Sequence, residues 1–158
     1  MNSIERTLLT LDHQIPDRVP VDLHNFLVTA RLMGVSNFAG FFRDGDAMAE
    51  GQIMAWNKFG HDILIIENGT AALAEACGVP VIYMEEPAPV ATEPAIKSLD
   101  EVDDLVLPDP YKDPLLSELL KLTRRVVEEI GEQAFVIGRG DQGPFSLACE
   151  IRGMSQFM

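Results

Sequence analysis

Residues 134–154, AFVIGRGDQGPFSLACEIRGM, leave this chain few folds to choose from. An apolar run over 134–137, bounded by glycines, predicts a short buried strand. Gly138, Gly140 and Gly143 break it, and Pro144 suits the first turn of a helix whose Phe145, Leu147, Ala148 and Ile151 recur at helical spacing. Strand, polar glycine turn and helix make one βα unit. Its turn offers Arg139, Asp141 and Gln142 where α/β folds build their sites. The same turn contains a literal G-x-G-x-x-G. A dinucleotide site also needs a following strand that ends in a ribose-binding acid, and the fifteen residues after Gly143 leave no room for one.

The upstream chain reads as earlier units of the same kind. Strands are predicted over 19–23 and over the four aliphatics 63–66. Helices are predicted over 3–12, with Ile4, Leu8 and Leu11 on one face, and over 26–33, closed by Gly34. Another is expected over 46–59, with Asp44 or Asp46 as its cap and Gly60 as its stop, and another over 70–77 before Gly78. Runs 79–84 and 90–96 read as the arms of a hairpin, and Ser98 with Glu101 as a capping box for a short acidic helix to Leu105. The longest helix opens at Asp113 and Pro114, carries an apolar stripe from Leu115 to Ile130, and stops at Gly131. Phe38, Phe41 and Phe42 are expected to pack on the core. Strands alternating with helices argue for an α/β fold with a parallel sheet.

Charge and composition exclude several functions. Twelve Lys and Arg face 25 Asp and Glu, a net charge of −13 that repels phosphate backbones, so nucleic acid is not an expected partner. No apolar run is long enough to span a membrane. Cys77 and Cys149 lie in no metal spacing and read as reduced thiols of a cytoplasmic protein, and no metal site is visible. P-loop, nucleophile-elbow and Cys–His patterns are missing. The last helix runs to Met158 without a stop signal, and residues 1–158 are therefore expected to be the N-terminal portion of one larger domain.

In parallel α/β folds the chemistry gathers at the carboxyl ends of strands. Three ends supply His24 and Asn25, then Glu67 and Asn68, then Arg139, Asp141 and Gln142. Glu67 and Asp141 are the candidate catalytic carboxylates, and the other five the candidate substrate-binding groups. Each has a structural alternative. His24 could be a hydrogen-bonded structural histidine, Glu67 and Asn68 could cap the next helix, and Arg139 with Asp141 could hold the turn as a local ion pair. His61 precedes its strand and belongs to the opposite rim.

Four segments carry a family resemblance: SIERTLLTLDHQIPDRVPV, FGHDILIIENGTAALAEACGVPV, TEPAIKSLDEVDDLVLPDP and GDQGPFSLACEIRGM. In their order and spacing the chain resembles the N-terminal half of the uroporphyrinogen decarboxylase superfamily, which includes the decarboxylases of haem synthesis and the methylcobalamin:coenzyme M-type methyltransferases. The resemblance implies half of a TIM (β/α)8 barrel with a small hairpin excursion. The decarboxylases' Arg-rich R-Q-A-G-R motif is replaced by His24, Asn25, Phe26, Leu27 and Val28, their aspartate after the second strand falls near Gly69, and Glu150 stands where they have a tyrosine. The chain thus looks more like the methyltransferase branch. That branch implies a corrinoid, a zinc ion whose ligands would lie beyond Met158, and a small-molecule substrate or corrinoid protein as partner. A genuine uroporphyrinogen decarboxylase and a non-catalytic binding or assembly module are the alternatives. A half barrel alone would expose a sheet edge, so the missing C-terminal half or a homodimer is an expected partner.

Overall fold

The chain is described from a computed structural model that covers residues 1–24, 26–84, 89–140 and 143–158. Its centre is a parallel pair, β1 (Ile63–Ile66) beside β4 (Phe135–Gly138), in the register Ile63 with Phe135 through Ile66 with Gly138. On the other side of β1 the chain at Asp22 forms a single parallel bridge to Ile63. The strand expected over 19–23 is therefore reduced to one contact point. Pro20 has no N–H to give the ladder, the Val21 amide donates to the Asp62 carboxylate at 2.9 Å, and the Val21 carbonyl accepts from both Asp62 and Ile63.

Alternation along these strands separates two faces. Leu64, Ile66 and Val136 point into the main core, together with Ala30 of α2 (Phe26–Leu32), Met48 and Ala49 of α4 (Gly45–Phe59), and Leu122, Val126 and Ile130 of α6 (Leu116–Ile130). Phe41 and Phe42 are buried in the same core, at the end of the short α3 (Phe38–Phe41), as the sequence leads one to expect. The other face carries Asp22, Ile63, Ile65, Phe135 and Ile137, and by the same alternation Glu67.

Helix α4 reaches its neighbours through small residues. A Cβ built on Gly45 would lie 2.3 Å from the Glu118 carbonyl oxygen, and the Gly45 amide donates to the Glu118 carboxylate at 2.7 Å. Because the obstacle is backbone, Gly45→Ala is expected to push α4 off α6 and cost about 1–3 kcal/mol. A denaturant melt checks it, and an unchanged midpoint would refute the close approach.

Helix α1 (Ser3–Leu11) departs from expectation in the face it buries. A capping box of Asn2 and Glu5 closes its N-terminus. Its apolar residues Leu8 and Leu11 are exposed, and Arg6 and Thr7 are buried instead. The physical reason is Asp62, fully buried just before β1, whose carboxylate takes hydrogen bonds from Ser3 Oγ, Arg6 Nη1 at 2.6 Å and Arg18 Nη1 at 2.5 Å. Asp17 grips the far side of Arg6 at 2.7 Å. A buried charge network outweighs an amphipathic stripe in setting which way this helix faces.

Beyond β1 come α5 (Ala72–Ala76), the antiparallel hairpin β2 (Val81–Ile82) and β3 (Val90–Ala91), and a 3-10 helix (Leu99–Asp104). The acidic segment winds as a 3-10 helix, with no capping box around Ser98: Ser98 Oγ accepts from Asp100, and Glu101 accepts from the Lys97 amide. Asp113 does cap the long helix, accepting from the Leu115 and Leu116 amides at 2.9 Å each. The last helical segment is two pieces rather than one continuous helix. Helix α7 (Pro144–Arg152) ends at Gly153, whose φ of 84° breaks the path before α8 (Met154–Phe157). No helix among the described residues is long and apolar enough to cross a membrane.

Candidate functional site

The parallel register decides which sequence-distant groups meet. β1 delivers Glu67 just past its carboxyl end, β4 delivers Arg139, and the segment after the Asp22 bridge delivers His24. Arg139 Nη1 donates to Glu67 Oε2, His24 Nε2 lies 2.9 Å from Glu67 Oε1, and the same Arg139 nitrogen stands 3.2 Å from His24 Nε2. Glu67 is 4% exposed, whereas His24 is half-exposed. Two cationic-capable groups thus close on one buried carboxylate, with the imidazole as the member that reaches solvent.

The structural alternatives fare differently. Glu67 and Asn68 do not cap α5, whose N-terminus at Ala71 carries no side-chain cap. Arg139 pairs across the sheet with Glu67, so it is not committed only within its own turn. Asn68 is buried, and its Nδ2 has no hydrogen-bond partner. It lines a cavity together with Glu67 and residues of α5 and α6. Asn25, Asp141 and Gln142 lie outside the described residues.

A cavity of about 130 Å3 sits directly behind the ion pair. It is lined by Glu67, Asn68 and Gly69 from the end of β1, Ala72 and Leu73 of α5, Leu116 and Leu119 of α6, and Arg139 with Gly140 beyond β4.

At the opposite end of the sheet, His61 is buried and neither ring nitrogen has a partner. Burial pushes its pKa down, opposed in part by the Asp22 and Asp62 carboxylates. Asp22, whose Oδ1 is also unpartnered, has its pKa raised by burial. Sequence reasoning missed Asp22, although its signal was present: in VDLH it alternates with His24 and so shares that residue's face. The Arg6, Asp17, Arg18 and Asp62 network was missed as well, and no local spacing could reveal it.

Among the described residues no three His, Cys, Asp or Glu side chains gather to hold a metal. They do not fit a zinc centre.

The family model described as "Uroporphyrinogen decarboxylase (URO-D)" matches residues 2–158. Among solved structures, a methyltransferase from Methanosarcina mazei superposes with a TM-score of 0.83 at 17% identity, covering 100% of this chain and 47% of that one. That likeness speaks to the fold, and the chain spans about half the length of that structure. The parallel strands and outer helices are accordingly those of half a TIM barrel. A comparison with curated proteins gives no match.

Proposed function

From the chain's membership of the uroporphyrinogen decarboxylase family, in which its residues 2–158 place it, we propose a methyl-transfer activity for the protein that carries it, with a corrinoid as methyl source and a small thiol as acceptor. One observation carries the choice of branch. Arg139 is the one guanidinium that the described strand ends provide, and its charge is spent on the buried Glu67. Arg43, between α3 and α4, is likewise paired, with Glu75. A porphyrinogen ringed by carboxylates would meet no uncommitted cation at these strand ends, in a chain of net charge −13.

A corrinoid, once bound, would supply the methyl group for transfer to the acceptor sulfur, whose own electron pair makes the new S–C bond. The acceptor thiol must lose its proton in the same event. His24 would receive that proton on Nδ1, because the ring is half-exposed and its Nε2 is already committed to Glu67 Oε1 at 2.9 Å. Glu67, held by Arg139, stabilises the resulting imidazolium. Asp141 and Gln142 remain candidate contacts on the same turn. The unpaired Cys77 and Cys149 fit a cytoplasmic, reducing setting.

The test is an assay of the protein carrying this chain with methylcobalamin and coenzyme M, run beside uroporphyrinogen. Methyl transfer that falls about 100-fold in His24→Ala is expected. Turnover of uroporphyrinogen without methyl transfer would replace this reading with decarboxylation.

A further inference from the structure

The cavity behind the Glu67–Arg139 pair has three properties that together select a ligand class. Its first is size. At about 130 Å3 it is small, on the scale of a ligand of a few non-hydrogen atoms. The second is wall chemistry: Ala72, Leu73, Leu116 and Leu119 make most of the lining apolar. The third is a single orphaned donor. Asn68 is 97% buried, lines the cavity, and its Nδ2 has no partner, a state that costs free energy unless an acceptor arrives.

Charge narrows the class further. Among the described residues the ionic groups on the wall are Glu67 and Arg139, which pair with one another, so a charged ligand would find no uncommitted counter-charge among them. We propose that this cavity binds a small uncharged molecule with a hydrocarbon body and one hydrogen-bond-accepting oxygen, the oxygen held by Asn68 Nδ2 and the body seated against Leu73, Leu116 and Leu119. The ligand's role, as a methylated compound or methyl acceptor feeding the adjacent strand ends, rests on the methyl-transfer reading. Its binding does not.

Acetone and acetate are a matched pair of probes, equal in size and opposite in charge state. In 1H–15N spectra of the full chain, acetone is expected to shift the Asn68 side-chain amide signals saturably, and acetate at equal ionic strength is not. Leu119→Phe, which fills the cavity, should abolish the shifts. Asn68→Leu, read through the leucine methyl signals, should weaken acetone binding about five- to tenfold, the loss of one hydrogen bond. Shifts that fail to saturate, acetate binding as well as acetone, or binding that persists in Leu119→Phe would each overturn the proposal. Saturable acetone binding in a protein that transfers no methyl group would keep the site and remove the role. Methyl transfer without acetone binding would remove the site alone.

Discussion

Asp62→Ala is expected to destabilise the chain by about 3–5 kcal/mol, the cost of stranding buried charge without its partner. Arg6 is itself 6% exposed, and Asp62 is the acceptor that ties it, Ser3, Arg18 and the Val21 amide to the foot of β1. For a domain whose whole stability is of the order of 5–15 kcal/mol, that loss lowers Tm by about 10 °C and frees α1 first. Denaturant melts and amide exchange over residues 3–11 measure both. A loss below 1 kcal/mol, the size expected for an exposed pair such as Lys112 with Asp109, would show that the network contributes little.

The same carboxylate sets an acid limit. Burial alone would raise its pKa, but hydrogen bonds from Arg18, the Val21 amide, Ser3 and Arg6 outweigh that and hold it at about 2, below the ordinary 3.8. The folded state therefore binds this proton less readily than the unfolded chain. Its contribution is present above about pH 3.8 and is lost as the pH falls through about 2. In Asp62→Asn that limb of the acid titration should vanish.

Arg139→Ala is expected to produce the second large effect, about 3 kcal/mol of destabilisation together with loss of activity. Glu67 would be left with a buried negative charge and only the half-exposed His24 beside it. Replacing both partners, Arg139→Met with Glu67→Leu, removes the charge along with its counter-ion and should restore most of the stability. Activity should not return. The double-mutant cycle separates a structural ion pair from a working one, since recovery of stability and activity together would take Glu67 out of the proposed proton path. If Arg139→Ala melts like the parent chain, the pair is not the anchor of the strand ends.

How far the sequence reaches can be judged element by element. Ile63–Ile66 was legible because four consecutive aliphatics between a glycine stop and a polar end fit a strand buried on both faces. Helix α4 was legible through Asp44 and Gly60, and the βα unit at 135–152 through Pro144 at the first helical position, with Gly143 at a φ of 96° that only glycine takes easily. Candidate groups at strand ends could be named from the same rule, and His24, Glu67 and Arg139 stand together. Asn68 was named too, and it lines the cavity that Glu67 and Arg139 also border.

The sequence by itself determined what is local: where the strong strands and long helices run, which caps close them, and which polar residues follow each strand. Those features depend on neighbours within a few positions along the chain, and a linear reading contains them. Tertiary structure alone decided the rest. Whether 19–23 becomes a strand depended on Asp62 claiming the Val21 amide, and which face α1 buries depended on an Arg6–Asp62 bond spanning 56 residues. The pairing of Glu67 with Arg139 depended on β1 lying beside β4 in one register, 72 residues apart. Coulomb and hydrogen-bond energies fall with distance in space, and only the folded chain sets that distance.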